Sequence, residues 1–400
     1  MNVLGKKVFY FGFYSEPDHI PERIPVISPA TTSKMKYIAE TLSKNFETVI
    51  VSPGFSIRRG ISQQKEIVGK NFKVLYLESK GDGKENLTFS KILYARKQIK
   101  KFVRENLNRD DCGIIYSQPW SLGLLVNELK VKGINPVLEL EELHYTNTLI
   151  PFWKRVIFRN IEKKAISSAR NLILVNDILK KEIKNNSIVC HGMYRSPDLS
   201  QRKTHNREIR LLYSGAIDTE RGVFLFLESL GLMPNYLTNK IIVNITGYFH
   251  GSSCLFFKEK LGEKIGELSA KGLDINFKGL LPEKEFENLI SDADICISPQ
   301  LVKNTFSSFS FPSKILSYLS YGKLVVSSSL PCITESPFDT FLITYKEDDP
   351  LQLKEAIIRA INYKKVFYES DQKKLLSAIK KQSETFSKGL LSMILEDTQS

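Results

Sequence analysis

Short, nearly unbroken apolar runs alternate with longer amphipathic stretches along almost all of this 400-residue chain, and that alternation restricts its fold more than any other feature. A strand with one wet face alternates apolar and polar residues, whereas a strand covered on both faces is apolar throughout. Residues 8–14, 48–54, 72–79, 113–117, 136–140, 171–175 and 187–190 are of the second kind. Between them, residues 33–45, 90–106, 121–132, 152–169 and 177–185 carry the spacing of helices with one apolar face. The rhythm lapses once, in the polar stretch HGMYRSPDLSQRKTHNRE, and restarts with strand patterns at 209–215, 240–246, 273–278, 294–298, 323–328 and 341–344. Helix patterns at 223–231, 256–271, 283–291, 313–321 and 351–363 separate these, and a Lys-rich helical tail follows. Strand–helix–strand repetition predicts an α/β protein of parallel, doubly wound sheets with right-handed crossovers. The expected domains are 1–192, a linker over 193–208, a second domain over 209–368, and a tail, 369–400, packing back toward the first. Two such Rossmann-like domains facing across a cleft would bind ligand at their strand carboxyl ends.

Composition narrows the partners. At 42% hydrophobic residues and with no apolar run long enough to span a bilayer, the sequence reads as a soluble protein. Its start, MNVLGKK, leads into a strand pattern and not a signal core, so a cytoplasmic location is expected. The five cysteines are scattered, no Cys-x-x-Cys occurs, and the five histidines lack ligand spacing, so neither disulfides nor a structural metal is expected. The net charge of +13 suits nucleic acid, an anionic membrane surface or a polyanionic small substrate, and equally an ordinary solvated surface. No groove-reading motif or aromatic platform accompanies the charge, which argues against nucleic acid as a partner. No G-x-G-x-x-G follows a strand pattern, which argues against a nicotinamide enzyme.

The stretch FSFPSKILSYLSYGKLVVSS, residues 309–328, reads as loop, helix and buried strand. Pro312 suits the first helical turn, with Ser310 or Phe311 before it, and Ser313 and Lys314 fall in that turn. Unpaired N–H groups and the positive dipole end there attract anions. This stretch resembles the P-S-K-x-x-E-Y-x-x-x-G-K-P-V signature of family 4 (group 1) glycosyltransferases of the GT-B fold, above all those of bacterial polysaccharide synthesis. IRLLYSGAIDTERGV (209–223), the strand ending at Gly247, and NFKGLLPEKEFENLISDADICISP (276–299) resemble other blocks of that family.

The resemblance implies roles. Gly215 and Gly247 would close strands beside a donor diphosphate; Ala216 stands where many relatives carry arginine. Arg221 matches the basic residue of the diphosphate clamp, and a guanidinium suits bidentate phosphate binding. With Lys314 and the helix start at Pro312 and Ser313, it would bind the donor and stabilise the departing diphosphate. Relatives usually carry two glutamates eight positions apart in this region; Phe309 and Ser317 replace them here, so a hydroxyl stands where a carboxylate holds the ribose.

In the first half, SPATTSK (28–34) occupies the place of the family's Gly-rich loop, and Gln118 matches a sugar-contacting histidine. ELEELH (139–144) ends a buried strand; alternation puts Glu139 and Glu141 on one face and Glu142 on the other. Glu142, with His144 beside it, matches an acidic position and is expected to orient or deprotonate an acceptor hydroxyl. The helices at 90–106 and 152–169 are basic with an apolar face, which suits an anionic membrane surface as well as ordinary packing. The resemblance implies a retaining glycosyltransferase in bacterial surface polysaccharide synthesis. Its substrates would be a nucleotide sugar and a glycan or lipid-linked glycan, with no cofactor and no metal, and it would work in the cytoplasm or peripherally at the inner membrane face. A degenerate, non-catalytic partner or scaffold subunit is the competing reading.

Overall fold

The structure, a computed structural model, describes residues 5–16, 29–53, 55–84, 88–147, 150–194, 208–249, 254–303 and 311–396. The chain divides into one unit of Met1–His191 with Glu384–Ser400 and another of Gly192–Ser383. Most of the expected linker, Ser28, and Phe309 with Ser310 lie outside the described residues.

The first unit runs β1 (Lys7–Phe11), α1 (Pro29–Ser43), β2 (Glu47–Ser52), β3 (Gly60–Ser62), β4 (Lys65–Val68), β5 (Lys73–Tyr76), β6 (Ser79–Gly81), α2 (Phe89–Asn106), β7 (Cys112–Tyr116), α3 (Pro119–Val131), β8 (Pro136–Leu140), α4 (Phe152–Ser168), β9 (Asn171–Leu174), α5 (Asp177–Glu182) and β10 (Asn186–Val189). Its main sheet has the order β10-β9-β8-β7-β1-β2-β5-β4. The strands are parallel except β4, which runs antiparallel to β5. Val8 pairs with Thr48 on one side and Cys112 on the other, so β1 lies where the connections reverse direction. β7, β8 and β9 are buried at every residue, which is why their sequences show no alternation.

The second unit runs β11 (Ile209–Ser214), α6 (Val223–Gly231), α7 (Asn235–Thr238), β12 (Ile241–Thr246), α8 (Cys254–Ala270), β13 (Asp274–Phe277), α9 (Glu283–Asp292), β14 (Ile295–Ser298), α10 (Ser313–Ser320), β15 (Leu324–Ser328), α11 (Pro331–Thr334), β16 (Leu342–Tyr345), α12 (Pro350–Val366) and α13 (Gln372–Glu396). Its sheet, β13-β12-β11-β14-β15-β16, is wholly parallel, and the winding reverses between β11 and β14. Crevices for ligands open at the strand carboxyl ends beside such a reversal. The boundary between the units falls inside α13. Its last turns belong to the first unit, where Phe386 stacks on Tyr37 at 6.0 Å and the Ile394 carbonyl accepts from Lys6 Nζ at 2.9 Å.

Three local expectations need correction. α1 starts at Pro29, four residues before the expected helix, so most of SPATTSK is helical and not a loop; proline's fixed φ suits a helix start. Pro312 precedes the helix as the N-cap of α10, with ψ at 98°, and does not stand in its first turn. β3, β4 and β6 were not expected, because they are short and β3 and β4 are mostly exposed. β3 and β6 pair where the chain doubles back tightly: a Cβ on Gly81 would lie 1.9 Å from the Arg58 carbonyl oxygen.

Candidate functional site

In the second unit the ends of β11, β12 and β13 are tied by main chain. Gly215 N–H donates to the Thr246 carbonyl (3.1 Å), and Gly247 N–H and the Thr246 hydroxyl both donate to the Gly279 carbonyl (2.9 and 2.6 Å). Gly215 and Gly247 have φ of 143° and 152°, and a Cβ on Gly247 would fall 1.7 Å from the Gly215 carbonyl oxygen. Only glycine fits there. The turn after Gly215 is shaped by Asp218, whose carboxylate accepts from the N–H groups of Glu220 (2.9 Å) and Arg221 (2.7 Å). Gly222, with φ of 73°, then opens α6 with its Cα against the Pro299 carbonyl.

α10 completes this rim. Pro312 offers no side-chain cap, so the first N–H groups of α10, from Ser313 and Lys314, have no partner within the helix. The Tyr318 hydroxyl accepts from Ser214 N–H (2.9 Å) and meets Ser214 Oγ at 2.7 Å, which staples α10 to β11. Lys314 Nζ lies over the Tyr213 ring at 4.6 Å, donates to the Ser214 carbonyl at 3.3 Å, and would sit 3.4 Å from a Cβ on Gly215. Burial, and then the charge of Arg221, lower the Lys314 pKa to about 7 against the opposing pull of Asp218. Among the described residues neither Lys314 nor Arg221 has a carboxylate at ion-pair distance. Two cations, a helix N-terminus and glycine backbone thus surround one spot, an arrangement suited to a polyanion.

The structure therefore brings Gly215, Ala216, Arg221, Gly247, Pro312, Ser313 and Lys314 to one rim. Ala216 contributes its carbonyl, which accepts from the Tyr213 hydroxyl at 2.9 Å. Ser317 lies one turn along α10, and its hydroxyl is turned back onto the Ser313 carbonyl at 3.3 Å. Sequence reasoning missed Ser214, Asp218, Tyr213 and Tyr318. The two tyrosines sit in apolar runs and read as core.

In the first unit the strand ends enclose a charge cluster. Glu139, fully buried on β8, accepts from the Tyr10 hydroxyl and lies 3.3 Å from Lys34 Nζ. Lys34, 4% exposed on α1, also pairs with Glu141. Glu139 and Glu141 thus share a face, as alternation requires. Burial pushes the Glu139 carboxyl up to about 7 although Lys34 pulls it down. Burial works against the Lys34 charge in turn, yet Glu141 and Glu139 hold its pKa above the ordinary lysine value. Lys34→Met is expected to destabilise the first unit by about 3–5 kcal/mol, the usual cost of leaving half of a buried pair. The loss should be smaller at pH 5 than at pH 8, because Glu139 can take up a proton below about 7. Urea titrations at the two pH values measure this, and equal losses would contradict the pairing.

His144 is clamped on both sides. Its Nδ1 is 2.7 Å from Glu162 and its Nε2 is 3.2 Å from Glu142. Glu162, fully buried on α4, also accepts from the backbone N–H groups of His144 (3.0 Å) and Tyr145 (3.4 Å). Burial alone would lower the His144 pKa, but the Glu162 hydrogen bond and both carboxylate charges raise it. Glu142 and His144 are thus brought together, with His144 held toward its protonated form. Gln118 is placed as the residue before α3, half-buried beside a small cavity it lines with Gly12, Phe13 and Trp120. Lys34, Glu139, Tyr10 and Glu162 were missed as a set. The signal for Glu162 was in plain view: it is the one acid in a helix with five cations.

These two doubly wound sheets, parallel except for β4, and their strand orders define the GT-B fold. The E. coli trehalose-6-phosphate structure bound with UDP-2-fluoro glucose is similar at 10% identity, with 99% of both chains covered and a TM-score of 0.70. An α,α-trehalose-phosphate synthase (UDP-forming) from Burkholderia xenovorans in complex with glucose-6-phosphate matches at 9% identity over 99% of this chain and 100% of that one, with a TM-score of 0.68. Sucrose-phosphate synthase from Thermosynechococcus elongatus matches at 13% identity over 97% of each chain, also with a TM-score of 0.68. Residues 208–363 match the family model for glycosyl transferases group 1. The chain therefore has the GT-B fold and carries a group 1 glycosyl transferase domain over residues 208–363 of its second unit. Among curated proteins, none matches it in sequence.

Proposed function

We propose that the protein moves a sugar from a nucleotide-sugar donor to a glycan acceptor carried on a lipid, in bacterial surface polysaccharide synthesis and with retention of configuration. The observation that carries this reading is the rim of Gly215, Gly247, Arg221, Lys314 and the α10 N-terminus, whose positive charge and unpaired N–H groups suit a diphosphate. Negative charge builds on the diphosphate as the glycosidic bond breaks, and the two cations with the helix N–H groups would stabilise it. In this reading Lys314 and Arg221 supply the positive charge, so no metal or other cofactor is needed. The acceptor would bind at the strand ends of the first unit, where Glu142 orients its hydroxyl and His144, its pKa raised by Glu162 and Glu142, fixes Glu142. The solved relatives carry UDP-2-fluoro glucose in one case and glucose-6-phosphate in another, which supports a nucleotide-sugar donor and a hydroxyl-bearing acceptor. Among the described residues no helix is long and apolar enough to cross a membrane, so the proposed work at a cytoplasmic membrane face would be peripheral.

One observation favours the competing reading of a non-catalytic partner: the Ser317 hydroxyl is engaged with its own helix and offers a ribose little. Calorimetry with UDP-, GDP- and ADP-sugars separates the two, since a scaffold binds none. Ser317→Glu is expected to tighten donor binding about tenfold, because a charge-assisted bond to a ribose hydroxyl is worth roughly 1.5 kcal/mol. An unchanged dissociation constant would place the ribose elsewhere.

A further inference from the structure

We propose that the outer face of α4 is a lipid-binding surface that seats the first unit on an anionic bilayer. Phe152, Trp153, Val156 and Ile157 are 78%, 61%, 44% and 48% exposed. At 3.6 residues per turn they fall within about 140° of arc on one side of the helix. Isolated exposed apolar residues are ordinary, but four on one stripe mark a contact surface. Cations border the stripe, and their placement names the occupant. Exposed Lys154 and Arg159 flank it, and exposed Lys163 and Lys164 continue it along the next turns. The single acid of α4, Glu162, is fully buried and turned inward to His144. The outer face thus presents aromatic and aliphatic groups followed by positive charge, with no carboxylate. That is the complement of acyl chains beneath anionic headgroups, with Trp153 suited to the boundary between them.

The inward face of α4 gives the contact a purpose. Through Glu162 the helix holds His144, and through His144 it holds Glu142. A bilayer touching the outside of α4 would therefore lie one helix away from the loop proposed to receive the acceptor. This purpose rests on the lipid-carried acceptor; the surface itself does not.

The test is cosedimentation of the full chain with vesicles of phosphatidylcholine alone and of phosphatidylcholine mixed with phosphatidylglycerol. The chain is expected to sediment with the mixed vesicles and to be released by salt. Phe152→Ser with Trp153→Ser, and separately Lys163→Glu with Lys164→Glu, should each weaken binding roughly tenfold or more. The chain has two tryptophans, and quenching by brominated lipid should vanish in Trp153→Phe. No binding to mixed vesicles at low salt overturns the proposal, as does binding that the variants leave unchanged. Light scattering that shows a dimer broken by the Phe152 and Trp153 changes would assign the face to a second copy instead, and also overturns it. Donor calorimetry on the same variants keeps the two readings apart. A chain that binds nucleotide sugars but ignores vesicles loses only the surface; one that binds vesicles but no donor loses only the transferase mechanism.

Discussion

Lys314→Ala is expected to lower turnover by about a hundred- to a thousandfold, the usual effect of removing one donor that faces developing negative charge. The amine is held over Gly215 by the Ser214 carbonyl and the Tyr213 ring, so its removal takes one of the two cations from the rim. A second measurement tests the same group without chemistry. With no ligand, burial and Arg221 hold its pKa at about 7, so near pH 8 much of the amine is neutral. A bound diphosphate favours the charged form and raises that pKa. Donor binding at pH 8 should therefore take up a proton, and affinity should fall as pH rises above 7. Calorimetry in buffers of different ionisation heats counts the protons. A donor that binds without uptake, together with normal turnover in Lys314→Ala, would remove Lys314 from the site.

Gly247→Ala should be among the most damaging single methyl groups in the second unit. It places a Cβ 1.7 Å from a carbonyl oxygen at a φ of 152°, and neither main chain can withdraw without breaking the Gly215–Thr246 and Gly247–Gly279 bonds. Backbone strain and steric overlap together should cost at least ~2 kcal/mol. Gly262→Ala is the matched control. It lies inside α8 with nothing within 4 Å of the new methyl, and helix propensity favours alanine by about 1 kcal/mol. Urea unfolding of the two variants should shift in opposite directions. If Gly247→Ala unfolds at the wild-type midpoint, the contact between the two glycine turns is not as described.

Both sheets were legible in the sequence because their central strands are covered on both faces and therefore spelled in unbroken apolar letters. β3 and β4 were not legible, since exposed residues carry no pattern of burial. The rim of the second unit was legible where backbone and charge are encoded locally, at Gly215, Gly247, Ser313 and Lys314. Tyr318 was not, because an aromatic ring on the buried face of a helix looks the same whether or not its hydroxyl has work to do. In the first unit the polar letters after β8, Glu142 and His144, were legible, while Glu139 sat inside the strand and its counter-ion Lys34 sat far upstream on α1. A buried pair that forms only when distant segments meet leaves no mark on either segment alone.

The glycine turns that join β11 to β12 have a consequence for how such chains drift. A wall drawn by carbonyls and amides has few letters to preserve beyond the glycines, so substitutions can accumulate around it while its outline stays the same. Similarity at a tenth of positions, with 99% of both chains covered at a TM-score of 0.70, shows that this fold is kept in shape long after its spelling has changed.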